Sequence, residues 1–132
     1  MTFKTMFTLN AVIAGCFGLA LIAAPGLTVS LYGVQPAEGI VYIARLFGAV
    51  LVTLAVLSWS AREIRDAFMR RAITGAMLSG DAIGLAAALL GQIAGVVNAF
   101  GWLNVIVYLV LTAGYAYFVV VRSPSPVAHS TT

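Results

Sequence analysis

Four long apolar runs govern what this chain can fold into. A helix needs about 20 apolar residues to cross a hydrocarbon core of about 30 Å, and residues 7–24, 40–60, 72–94 and 101–121 each approach or meet that length. They are too long, and too free of strict alternation, to be strands of a barrel. The rest of the chain cannot supply a water-facing surface. Only 8% of residues are charged and 62% are hydrophobic, whereas soluble domains carry roughly a quarter charged residues. The expected fold is all-α: residues 1–121 form an integral membrane bundle of four antiparallel helices. Pro25-Gly26 and Gln35-Pro36 punctuate the first connection, and its segment LTVSLYGV suits the membrane interface. The tail, residues 122–132, holds two prolines and no apolar run, which predicts a flexible segment.

Basic residues set the expected direction. Lys4 precedes the first run, Arg62, Arg65, Arg70 and Arg71 lie between the second and third, and Arg122 follows the fourth. In a four-span chain all six fall on one side, while the other side carries Glu38 and no base. The positive-inside rule then makes both termini cytoplasmic, here in a bacterial inner membrane. IAGC at Ile13–Cys16 has the form of a lipoprotein cleavage box, but the apolar run continues to Ala24, so an uncleaved span is expected. The single cysteine, Cys16, rules out an intramolecular disulfide.

One acid interrupts the third run. Asp81 lies about 15 Å from the Arg-rich edge at 1.5 Å per residue, near the midplane, where charge is most costly. Arg45, the seventh base, sits about 8 Å below the opposite edge, with Asn104 and Tyr108 at about 5 and 11 Å. Gly80, Gly84, Gly91 and Gly95 fall within about 60° of one another on the third helix, and Asp81, Ala88 and Gln92 continue that stripe. Small residues at this spacing let helices approach closely. The expectation is a glycine seam beside a buried polar network of Arg45, Asp81, Asn104 and Tyr108, with Gln92 on the same face. Side chains lean toward their helix N-terminus, so Arg45 and Asp81 lean apart, and a bridge through Tyr108 or water is as reasonable as direct contact. A buried pair of this kind can equally serve only to fix helix register.

Other residues invite blander explanations. His129, the only histidine, sits in the tail without partners, so no metal or haem site is expected, nor any cofactor. Ser58, Ser60 and Ser79 have no base within a span. Tyr32, Tyr42, Trp59, Trp102 and Tyr117 fit an aromatic belt at the span ends. In SAREIRDAFMRRA, Arg62 and Asp66, then Asp66 and Arg70, stand four apart, which predicts helical salt bridges and contact with anionic lipid. The loop is too short and balanced for nucleic acid.

APGLTVSLYGV, then ARLFGAVLVTLAVLSW, a short Arg-rich loop and two Gly/Ala-rich runs resemble small bacterial four-helix membrane proteins of the DoxX-like kind. Arg45-Leu46-Phe47-Gly48 is the one motif-like stretch. The resemblance implies a compact bundle and assigns no catalytic residue. Tight seams and the lack of catalytic groups favour a non-enzymatic accessory or assembly subunit, a homo-oligomer or part of a larger membrane complex. The alternative is a binder or carrier of a lipophilic or proton-coupled small molecule in a cavity beside Asp81 and Arg45. An enzyme would have to rely on Asp81 and Tyr108 alone.

Overall fold

The computed structural model describes residues 1–121, and among these there are helices and turns but no strand. The expected tail, with His129 and Arg122, lies outside the described residues. Helix α1 spans Phe3–Ala23, α2 Pro25–Leu31, α3 Glu38–Ala61, α4 Ala67–Ile93 and α5 Trp102–Val120, the last entered through a 3-10 turn at Ala99–Gly101. Four of these segments are long and apolar enough to cross a membrane, at 21, 24, 27 and 22 residues.

Local chemistry sets the ends. Thr2 caps α1 by accepting from Thr5 N at 3.1 Å, and Asp66 caps α4 by accepting from Met69 N at 2.8 Å, each satisfying an amide that the helix itself leaves free. Pro25 stops α1 because its ring lacks an N–H, yet it suits the first turn of α2. Thr28 then folds back, donating to Ala20 O at 3.1 Å and Ala24 O at 2.8 Å. Gly33 and Gly95, at φ +78° and +69°, terminate α2 and α4. Behind each, two amides return to the last turn: Gly33 N to Ser30 O and Val34 N to Val29 O, then Gly95 N to Gln92 O and Val96 N to Gly91 O. Only glycine takes such backbone angles without strain.

The helices associate as two pairs, α1 with α3 and α4 with α5. Contacts between α1 and α3 run in opposite sequence order, with Lys4 near Glu63, Asn10 on Ser58 and Gly18 on Gly48, while α4 and α5 meet where Gly84 packs on Tyr108. The α1–α3 seam is tight. A Cβ on Gly18 would lie 2.9 Å from Gly48 O and Val52 N, and one on Gly48 would lie 2.8 Å from Gly18 O.

The pairs are clamped to each other at both ends. At the Arg-rich end, Phe3 and Phe7 of α1 meet Phe118 and Tyr115 of α5 edge-on, with ring centroids 6.3 and 5.3 Å apart. Lys4 reaches Glu63 at 2.8 Å, and Arg70 lies 4.4 Å over the Phe3 ring. The Lys4 contact holds the Glu63 carboxyl below its ordinary value of 4.5. At the Glu38 end, Asn98 donates to Leu31 O at 3.0 Å through its side chain and to Tyr32 O at 2.9 Å through its amide.

Two sequence expectations are corrected here. Residues 62–66 are not helical, so Arg62, Asp66 and Arg70 form no four-apart ladder. Asp66 caps α4, Arg62 stacks 3.4 Å over Trp59, and Arg70 donates to Ile64 O. The glycine seam also does not form within the chain. Cβ atoms on Gly80, Gly91 and Gly95 would meet nothing within 4 Å; only Gly84 is packed, against Tyr108. The buried stripe of α4 runs through Thr74, Met77 and Asp81, and Gly80 falls about 90° from its middle at 100° per residue. Gly48→Ala should therefore lower the thermal midpoint in detergent, by the equivalent of about 1–3 kcal/mol of overpacking. Gly80→Ala should leave it unchanged or raise it slightly.

Candidate functional site

Because the pairs are joined chiefly at their ends, they part between them and leave a cavity of about 340 Å³. This is within the range of about 300–1,000 Å³ typical of small-molecule sites. Helix α3 supplies one wall through Ile40, Ile43, Ala44, Phe47, Leu51 and Leu54, positions three, four or seven apart that share one face. Facing them, α5 presents Asn104, Val107, Tyr108 and Leu111, four more such positions. Helix α1 closes the back with Asn10, Ala14, Phe17 and Leu21, and α2 caps the Glu38 end with Thr28 and Val29, next to Tyr32.

The lining is apolar except for a few placed groups. Asp81 enters from α4, near the middle of that helix, and is 7% exposed. No hydrogen bond or ion pair to another described residue reaches its carboxylate, and Oδ2 is fully buried without a partner. Buried polar groups are normally satisfied, so this oxygen is the anomaly of the site. The two amides that line the cavity with it are engaged elsewhere, while the Tyr115 hydroxyl is, like Oδ2, buried without a hydrogen-bond partner among the described residues. Asn10 donates to Ser58 Oγ at 2.9 Å and lies 3.8 Å from Met77 Sδ. Asn104 Oδ1 accepts from the Tyr32 hydroxyl at 2.9 Å. Tyr108 is held against α4 because residue 84 is glycine: a Cβ there would lie 2.7 Å from Tyr108 Cζ.

The structure brings Asp81, Asn104 and Tyr108 to one cavity and leaves Arg45 and Gln92 out of it. Arg45 is exposed and makes no contact with Asp81. The reason is helical phase. Arg45 falls about 150° from the cavity-facing stripe of α3 at 100° per residue, so its guanidinium points away from the bundle interior. Of the network expected from sequence, whether by direct contact or by a bridge, Arg45 is therefore not part of the cavity that holds Asp81, Asn104 and Tyr108. Gln92 sits near the end of α4, donating to Asn98 O at 3.2 Å.

Sequence reasoning missed three contributors. Asn10 is 2% exposed and is the sole amide in α1, a signal of the same kind as Asp81. Ser58 is fully buried as its hydrogen-bond partner. Tyr32, expected in an aromatic belt, is instead buried with its hydroxyl on Asn104, and its ring packs on Phe100 at 4.9 Å. Only long-range pairing reveals this.

Compared with known proteins, the chain matches no family model, no curated protein and no solved structure. Its function must therefore be argued from the site. If Tyr32 and Asn104 hold the Glu38 end of the cavity together, Tyr32→Phe and Asn104→Leu should each cost about 1 kcal/mol in unfolding. The double variant should cost clearly less than the sum, a coupling measurable by denaturant titration of all four proteins.

Proposed function

We propose that this chain is a multi-pass membrane protein that binds or carries a lipophilic small molecule in the cavity between its two helix pairs. One observation carries the reading: a largely apolar cavity of about 340 Å³ holds a buried carboxylate oxygen that no group among the described residues satisfies. A group that served only to fix helix register would be expected to meet a partner across the seam, as Asn10 meets Ser58. Intramembrane acids that face a cavity are ordinarily functional. The lining offers orientation and solvation more than acid–base chemistry, and this favours a binder over an enzyme.

The same proposal includes the bilayer arrangement. The four long helices run antiparallel across a bacterial inner membrane, with both chain ends on the cytoplasmic side. Large apolar residues such as Leu19, Val50, Ile83 and Val110 are exposed around the outside, where acyl chains would cover them. Lys4, Arg62, Arg65, Arg70 and Arg71 gather at one end, as the positive-inside rule requires. The DoxX-like layout agrees with such a bundle and assigns no residue role. The accessory-subunit reading draws on a different observation: the edge of α4 around Gly80 and Gly91 is uncovered, and a second helix from another copy or a larger complex would fit there.

A small hydrophobic diazirine, photolysed with the purified full chain in lipid, should label Ala44, Val29 and Tyr108 saturably. Ala44→Phe, which fills the cavity, should remove that labelling. Labelling confined to outward positions such as Ile83 and Val110 would overturn the reading. In cells, with Cys16 replaced, a cysteine at Glu38 should react with an impermeant maleimide from outside. A cysteine at Arg65 should react only after the membrane is opened.

A further inference from the structure

The cavity's ligand class follows from how its lone acid can be neutralised. An isolated carboxylate deep in an apolar site is strongly disfavoured unless a cation or a proton compensates it. No cation among the described residues does so. Arg45 lies on the outer face of α3, and Lys4, Arg62 and Arg70 are engaged at the Arg-rich end, with Arg65 and Arg71 exposed beside them. The titratable groups near Asp81 are the phenols of Tyr108 and Tyr115 on α5; α1 and α3 contribute Asn10 and Ser58, which do not ionise. Among the described residues, nothing basic faces the acid from a helix packed around it.

We infer that the cavity takes a hydrophobic monocation, whose positive centre pairs with Asp81 in exchange for one proton. The inference rests on the cavity-binding reading above and narrows it. The walls suit such a ligand: Phe17, Phe47 and Tyr108 supply aromatic surface, which attracts cations as well as apolar groups. An anionic ligand would meet a carboxylate with no base to offset it. The exchange balances. The protonated acid releases one proton to water, the carboxylate binds one cation, and the net charge of the site is unchanged. The empty site is thus neutral through its proton, and the filled site through its ligand.

The test uses the full chain in nanodiscs of uncharged phosphatidylcholine, titrated calorimetrically with two probes of similar shape. Methyltriphenylphosphonium carries the charge, and triphenylphosphine oxide is neutral. The phosphonium should bind saturably and at least about tenfold tighter than the oxide. Titrations in buffers of different ionisation enthalpy should show about one proton released per cation where the acid starts protonated, with affinity there falling about tenfold for each unit by which the pH is lowered. Asp81→Asn should lose the charge preference while still binding the oxide, which shows that the variant folds. Asp81→Glu should keep the exchange, and Arg45→Gln should change nothing. If both probes bind equally, are indifferent to Asp81→Asn and are both lost in Ala44→Phe, the cation inference fails and the cavity reading stands. If neither probe binds, with no saturable diazirine labelling either, both fail.

Discussion

The structure depends on where its two helix pairs touch. Within each pair, contact runs along the helices; between the pairs it is concentrated at the ends. Aromatic rings from Phe3, Phe7, Tyr115 and Phe118 lock the Arg-rich end, and Asn98 bridges to the backbone of Leu31 and Tyr32 at the other. A bundle packed evenly along its length would have no room inside. Clamping at the ends allows the middle to open without the pairs separating, and the opening falls at the level of Asp81.

The division of labour among glycines follows from the same arrangement. Gly18 and Gly48 bring the backbones of α1 and α3 close together, so that pair is tightly seated. Gly84 does something different, making room for one ring rather than for a helix. Gly33 and Gly95 end helices. Three roles for one residue type explain why a stripe of small residues on α4 was a poor guide to packing. Spacing along one helix gives angular position but not the identity of the neighbour.

The all-helical content and the four long helices were legible because apolar length is a local property, and each of the four runs overlaps one of α1, α3, α4 and α5. Asp81 was legible for the same reason: one acid in a long apolar run stands out whatever surrounds it. Arg45 misled because depth was weighed without phase, and the stripe from Ile40 to Leu54 faces the cavity while Arg45 faces the other way. Asn10 with Ser58, and Tyr32 with Asn104, are pairings across 48 and 72 positions of chain. Only the docked helices disclose them, and those partners explain why the amides are quiet and the acid is not.

Ile43 and Phe47 line the cavity and are also 65% and 46% exposed on the molecule's flank. In the proposed bilayer arrangement, one wall of the chamber would therefore be shared with the acyl-chain phase. A guest reaching it from the side would be drawn from the pool already dissolved in the leaflet, so occupancy would follow mole fraction in lipid rather than molarity in water. Diluting the membrane with extra lipid at constant total guest would then empty the chamber, even with the aqueous compartment untouched.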